Sequence, residues 1–420
     1  MRAYPQLGEE TPTRDTWLNR NVLGMGVASL LSDAGHEMAT AVLPGFLAAL
    51  GVSAAALGII EGVADALSSA AKLTVGWLSD RLAHRKPVVV AGYLLTGAST
   101  GLFAACYGSA TVLMSRAVGW LGRGGRTPLR DAMLAGSVGA ESRGKAFGFH
   151  RAGDTIGAII GPLLAVGFLA YFQGKLSDPT GPFRWVFLLS LIPGLGSAVA
   201  FGFLIHEERA ASPQTSFLAA VRNLPTGFRQ FLLGVGIFGM GDFARTLMIL
   251  AATQLLTASH GAQHATRIAA LLYVGHNLFY AAYSYPMGAL SDRVGRRGLL
   301  ALGYLAEALV SAGFLAAFHW RLDVVVYLLA LFGLGGFSLA VVDTLEGAMT
   351  ADLVREGARG AAYGVLGTVN GVGDLVASTL VGVVWAKLSP TAAFASAAVL
   401  MGVGAGVIYT LPNAAEYQCR

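Results

Sequence analysis

Stretches of about twenty residues without one charged side chain recur along this chain; Val88 to Ala105, Trp185 to Phe203 and Ala392 to Leu411 are three of them. A helix needs about 20 mostly apolar residues to cross the hydrocarbon core of a bilayer. Only helices and closed barrels satisfy their own backbone there. Barrel strands would read as alternating segments of about ten residues, and these runs do not alternate. The fold class is therefore an all-α membrane protein. Composition agrees: 13% of residues are charged, against about 25% in an ordinary soluble domain. That balance excludes an ordinary soluble enzyme, a disordered tail and a coiled coil. A disulfide-stapled domain is excluded too, since Cys106 and Cys419 are the only cysteines.

Reading apolar runs and their breaks predicts twelve transmembrane helices. They fall near 21–50, 54–80, 87–107, 110–137, 144–172, 184–206, 228–257, 265–290, 298–318, 322–350, 358–387 and 391–411. The longest polar interruption, around Glu207, Glu208, Arg209 and Pro213, divides them six and six. The division is 1–20 as an N-terminal segment, 21–206 as one six-helix bundle, 207–227 as a linker, 228–411 as a second bundle and 412–420 as a tail. Residues 1–20 lack the basic start, short apolar run and cleavage site of a signal peptide. On this layout eighteen of the 29 Lys and Arg lie on the side of the termini, five on the other side and six within spans. The positive-inside rule then places both termini in the cytoplasm, in an inner or plasma membrane. The net charge of +5 reflects this topology. No domain carries a basic face interleaved with aromatics, so nucleic acid is not an expected partner.

The two halves repeat each other. Gly76-Trp77-Leu78-Ser79-Asp80-Arg81 returns as Gly288-Ala289-Leu290-Ser291-Asp292-Arg293, and Gly92-Tyr93-Leu94 as Gly303-Tyr304-Leu305. Arg143-Gly144-Lys145-Ala146-Phe147-Gly148 returns as Arg359-Gly360-Ala361-Ala362-Tyr363-Gly364. A nearly constant offset implies two six-helix pseudo-repeats related by an axis along the membrane normal. At this point the chain resembles the major facilitator superfamily. The loop signature of that family is matched by Gly76, Asp80, Arg81, Arg85 and Lys86, with Ala83 where the family prefers Gly. A second copy runs through Gly288, Asp292, Arg293, Gly295 and Arg297. The resemblance implies a cytoplasmic gate at these residues, alternating access and a monomer. It also implies that helices 1, 4, 7 and 10, with parts of 2, 5, 8 and 11, line a central cavity. Gly157, Gly161 and Pro162 match part of the helix 5 signature of exporters in the family, with Ala165 and Val166 where its glycines would be.

Eleven acids and six bases fall inside predicted spans, where each costs about 2.5–3.5 kcal/mol at a helix centre. They must pair, face the interior or line a wet cavity. Arg116, Arg123, Arg126 and Arg130 share a stripe roughly 80° wide on helix 4. Asp33 and Glu37 lie one turn apart on helix 1 beside His36, and Glu61, Asp65 and Lys72 share a face of helix 2. A buried carboxylate that alternately meets and leaves an arginine can switch its proton affinity. Asp33, Glu37, His36 and Asp154 are the candidate proton-coupling residues. Arg123, Arg126, Glu61, Asp65, Asp242, Arg245, His276, Asn277, Asp343, Glu346 and Asp374 are the candidate cavity residues. Static ion pairs that hold helices together are the alternative reading of the same charges. Of the remaining spans (3, 6, 9 and 12), only the ninth carries a charge in its core, Glu307.

Other chemistries fail on their spacing. His36-Glu37 begins a zinc-protease pattern, but Thr40 stands where the second His belongs. No phosphate-binding loop ending Gly-Lys-Ser/Thr occurs, and no metal or cofactor is expected. The expected activity is non-enzymatic: secondary transport of a small molecule coupled to protons, with export by antiport favoured. Uptake of an anionic metabolite or a metal ion, and a non-transporting receptor, are the alternatives.

Overall fold

The computed structural model describes residues 17–79, 84–138, 143–207, 224–354 and 359–411. Among them there are thirteen α-helices and no strand. The N-terminal half holds α1 (Arg20–Ala49), α2 (Ala54–Ser79), α3 (Lys86–Leu102, extended by a 3₁₀ turn to Ala105), α4 (Ser109–Gly136), α5 (Arg143–Gln173) and α6 (Gly181–Leu204). The C-terminal half holds α7 (Thr226–Gly239), α8 (Arg245–His260), α9 (Ala262–Val294), α10 (Arg296–Trp320), α11 (Val325–Leu353), α12 (Arg359–Lys387) and α13 (Pro390–Thr410).

One predicted span is corrected. The segment 228–257 is not a single helix: it breaks between Gly239 and Arg245 into α7 and α8. The sequence there, Gly239-Met240-Gly241-Asp242, combines two poor helix formers with an aspartate that competes for backbone partners. The break is supported from outside, because Ser378 of α12 accepts the N–H of Ala244 at 3.0 Å. Unwound backbone at membrane depth survives where protein surrounds it.

Packing repeats as the sequence does. In the first half α1 meets α5 and α6, α2 meets α4, and α3 meets α4 and α6. In the second half α7 meets α12 and α13, α9 meets α11, and α10 meets α11 and α13. The halves join through α2 against α12 and α5 against α9. The α2–α12 seam is close enough to require glycine. A Cβ on Gly58 would lie 2.1 Å from the carbonyl oxygen of Ser378, and one on Gly382 would lie 2.7 Å from that of Ala54. These approaches lie toward the α1–α2 and α12–α13 connections, the face opposite the start of α1 and the end of α13.

Eight of the described helices are long and apolar enough to cross a membrane by composition alone. Those that are not are α1, α4, α9 and the broken α7–α8 pair. They carry many of the buried polar groups that face one another between the halves, and α2 and α12 add Glu61, Asp65 and Asp374.

Candidate functional site

A cavity of about 210 Å³ lies between the halves at the helix break. From the first half it is lined by His36, Glu37 and Thr40 of α1, Glu61 and Asp65 of α2, and Arg116 and Trp120 of α4. From the second half come Ala244, Arg245 and Thr246 at the start of α8, Tyr273 of α9 and Asp374 of α12. A larger hollow of about 410 Å³ between α5 and α6 is lined by Leu163, Phe168, Phe172 and similar groups, with Tyr171, and holds no carboxylate or basic side chain. The chemistry therefore belongs to the smaller, central cavity.

Its charges divide into satisfied and unsatisfied groups. Arg116 donates from Nε and Nη2 to Oε2 of Glu61 at 3.1 and 2.9 Å, and both side chains are buried. The other Glu61 oxygen, Oε1, has no partner. Glu37 accepts a hydrogen bond from Tyr273 Oη at 3.0 Å, across the interface between halves. One turn away, Asp33 faces Arg123 of its own half at 3.4 Å. Trp120 sits between two guanidinium groups, with Arg116 and Arg123 at 5.4 and 5.3 Å from its ring and His36 edge-on at 5.1 Å. Arg245 pairs with Asp242 at 3.2 Å. Among the described residues, Asp65 and Asp374 have neither a hydrogen bond nor an ion pair, and they face each other from opposite halves.

Several predicted residues are placed elsewhere. Arg126, at the edge of the helix 4 stripe, is fully buried against α3 rather than in the cavity. It donates to Thr96 Oγ1 at 2.7 Å and Ser32 Oγ at 2.8 Å, and lies 4.1 Å from the ring centroid of Tyr93. Asp154 meets Ser29 and His150 on the α1–α5 contact. His276 packs against α11, and its neighbour Asn277 donates to Ala158 O of α5 at 2.8 Å, joining the halves. Glu346 is buried between Tyr304 Oη at 2.6 Å and Asn370 Nδ2 at 2.8 Å. Asp343 accepts from Tyr280 Oη at 3.0 Å and lies 3.8 Å from Arg151 of the other half. Glu307 is buried in α10, its Oε2 without a partner.

The gate motif is described in part; Asp80 and Arg81 lie outside the described residues. Gly76 and Asp292 lie in the last turns of α2 and α9. Lys86 donates from Nζ to the carbonyl of Ile205, just past α6, at 2.7 Å. In the second half Arg297, from the repeated motif, donates to the carbonyl of Leu411, just past α13. These two bases thus cap equivalent helix ends, where a cation meets the negative end of the dipole. The backbone N–H groups of Arg85 and Lys86 donate to Glu207. Gly295 has φ +91°, a conformation that favours glycine, at the turn into α10 beside the exposed Arg293; Gly288 approaches Thr344 of α11. In the helix 5 motif, Cβ atoms on Gly157 and Gly161 would lie 2.4 and 2.5 Å from the carbonyls of Leu30 and Ala34. Pro162 follows in the same helix. This seam touches α1 at the Cβ atoms of Asp33 and Glu37.

Sequence reasoning missed Trp120, Tyr273, Thr246 and the cavity role of Arg116. Arg116 shares the helix 4 stripe, and Tyr273 is the repeat counterpart of Glu61 at the same offset of 212 that relates the loop motifs. Thr246 carried no such signal, because its position depends on the helix break.

Two pseudo-symmetric helical halves around a charged cavity define a membrane secondary transporter rather than an enzyme. The chain belongs to the Major Facilitator Superfamily, whose sequence profile matches residues 25–241 and again 231–418. The double match reflects the internal repeat. An uncharacterised MFS-type transporter of Methanocaldococcus jannaschii is 31% identical over 386 residues, covering 92% of this chain and 93% of the relative. Two solved structures share the fold. A bacterial homologue of the human lysosomal transporter Spinster, inward-facing and occupied, has a TM-score of 0.68, 16% identity and 95% coverage of both chains. A D-xylose–proton symporter has a TM-score of 0.71 and 16% identity over 95% of this chain and 99% of its own.

Proposed function

We propose that this transporter moves a small solute by alternating access coupled to protons carried at Asp33 and Glu37, with His36 beside them and export by antiport as its direction. The observation that carries the reading is the unequal anchoring of these two acids. Glu37 is held by Tyr273 of the opposite half, whereas Asp33 is held by Arg123 of its own half. Movement of one half against the other breaks the first contact and preserves the second. A carboxylate that loses a hydrogen-bond donor as the halves part changes its hold on a proton with conformation. Export is supported by the Gly157-Gly161-Pro162 pattern. The division into bundles at 21–206 and 228–411, cytoplasmic termini and a monomeric state belong to the same reading.

The test is the purified chain in proteoliposomes carrying an internal pH dye, screened against a broad solute panel. A solute should move protons in exchange for itself, and an imposed pH gradient should accelerate its flux. Asp33→Asn and Glu37→Gln should each abolish that acceleration while substrate still binds. Gradient-driven flux that survives in both variants overturns the coupling assignment. Co-directional movement of proton and solute reverses the assigned direction.

A further inference from the structure

The central cavity holds both unpartnered acceptors and unpartnered donors, and we propose that it takes a small zwitterion, with a cationic nitrogen toward Glu61, Asp65 and Asp374 and an anionic group toward Thr246, Arg245 and the first turn of α8. This deepens the transporter reading and rests on it.

The acidic end is built from both halves. Asp65 and Asp374 have no bonded partner among the described residues. Glu61 is 2% exposed, and its Oε1 remains unpartnered after Arg116 has taken Oε2. A buried acceptor without a donor costs about 1–3 kcal/mol, more when charged. An ammonium group supplies three donors to these oxygens.

The unpartnered donors come from the helix break. Ala244, the N-cap of α8, offers no capping side chain. Among the described residues the N–H groups of Arg245 and Thr246 have no acceptor. Thr246 is 2% exposed and its Oγ1 is likewise unpartnered. An uncapped helix start carries about half a positive charge, directed at whatever occupies the space before it. Arg245 adds a full charge, shared with Asp242. Discontinuous helices present such ends to anionic substrate groups. The cavity of about 210 Å³ suits a small solute.

The test uses the full chain in detergent micelles, by thermal shift and calorimetry. The probes are the common amino acids, γ-aminobutyrate and glycine betaine, each hit paired with its methyl ester, which lacks the anion, and for the amines the N-acetyl form, which lacks the cation. At least one zwitterion should raise the Tm saturably, with its ester and its N-acetyl form at least about tenfold weaker. Thr246→Val should weaken the zwitterion about tenfold, and Thr246→Ser should restore it. Asp374→Asn should weaken it and leave the N-acetyl form unchanged. Equal binding of the ester, no loss in Thr246→Val, or no response to any zwitterion overturns the proposal. A chain that moves another solute class but binds no zwitterion keeps the transporter reading and loses this one. A chain that binds a zwitterion but moves it under no gradient keeps the site and loses the transport reading.

Discussion

Tyr273 of α9 donates its hydroxyl to Glu37 of α1 at 3.0 Å, tying the C-terminal half to a carboxylate of the N-terminal half. A hydrogen bond to a charged group contributes about 1.5–3 kcal/mol. Tyr273→Phe should therefore shift the population of conformers at least about tenfold toward the state in which the halves are apart at this level. A cysteine placed at Thr40 should then react faster with a membrane-impermeant maleimide. Unchanged labelling would show that the contact does not hold the halves together.

Glu61 and Arg116 form the most deeply buried ion pair lining the cavity. Removing one partner leaves the other charged and desolvated. Glu61→Gln is expected to cost about 3–5 kcal/mol of stability. The double variant Glu61→Gln, Arg116→Gln should recover a large part of that loss, because no lone charge remains. The Tm of the two variants in the same detergent measures the difference.

Tyr93 and Tyr304 occupy equivalent repeat positions but do different work. Tyr93 presents its ring to Arg126, and its own hydroxyl is buried without a partner. Tyr304 donates its hydroxyl to Glu346 at 2.6 Å. Tyr93→Phe should be neutral or slightly stabilising, while Tyr93→Leu should lose about 2 kcal/mol of cation–π attraction. Tyr304→Phe strips Glu346 of a donor and should cost about 1–3 kcal/mol. Equal Tm changes in the two phenylalanine variants would contradict this assignment.

Gly58 makes the tightest approach to the backbone of the opposite half, with Ser378 O 2.1 Å from where a Cβ would stand. The obstacle is backbone and cannot rotate away. Gly58→Ala should push α2 from α12 at a cost of about 1–3 kcal/mol. The variant should favour opening on the face of the α1–α2 and α12–α13 connections, read as faster maleimide labelling of a cysteine at Leu57. Gly51→Ala is not an equivalent control, since Gly51 has φ +72° and would be strained for a different reason.

The helical membrane fold and the repeat were legible in the sequence, because bilayer thickness sets span length and a nearly constant offset marks a repeat; the helix count was not, since the seventh predicted span is two helices. Arg116, Arg123, Arg126 and Arg130 were readable as one stripe from the 3.6-residue period. Their separate partners were not. Arg116 reaches α2, Arg123 reaches α1, and Arg126 turns to Thr96 and Tyr93 of α3. A stripe gives a direction around one helix, whereas a partner depends on which helix stands opposite at that height.

The chain by itself determined an all-helical membrane fold in two related halves, since apolar period, loop charge and internal repeat are local properties written in order along it. The tertiary structure decided what the buried polar groups do. It divided the seventh span at Met240 to Ala244, and so turned Thr246 and Arg245 from mid-helix residues into the lining of a cavity. It brought Asp65 and Asp374, more than three hundred positions apart, to face each other. The physical reason is that a helix carries its own hydrogen bonds wherever it lies, while a site exists only where several helices leave such bonds unmade in one place.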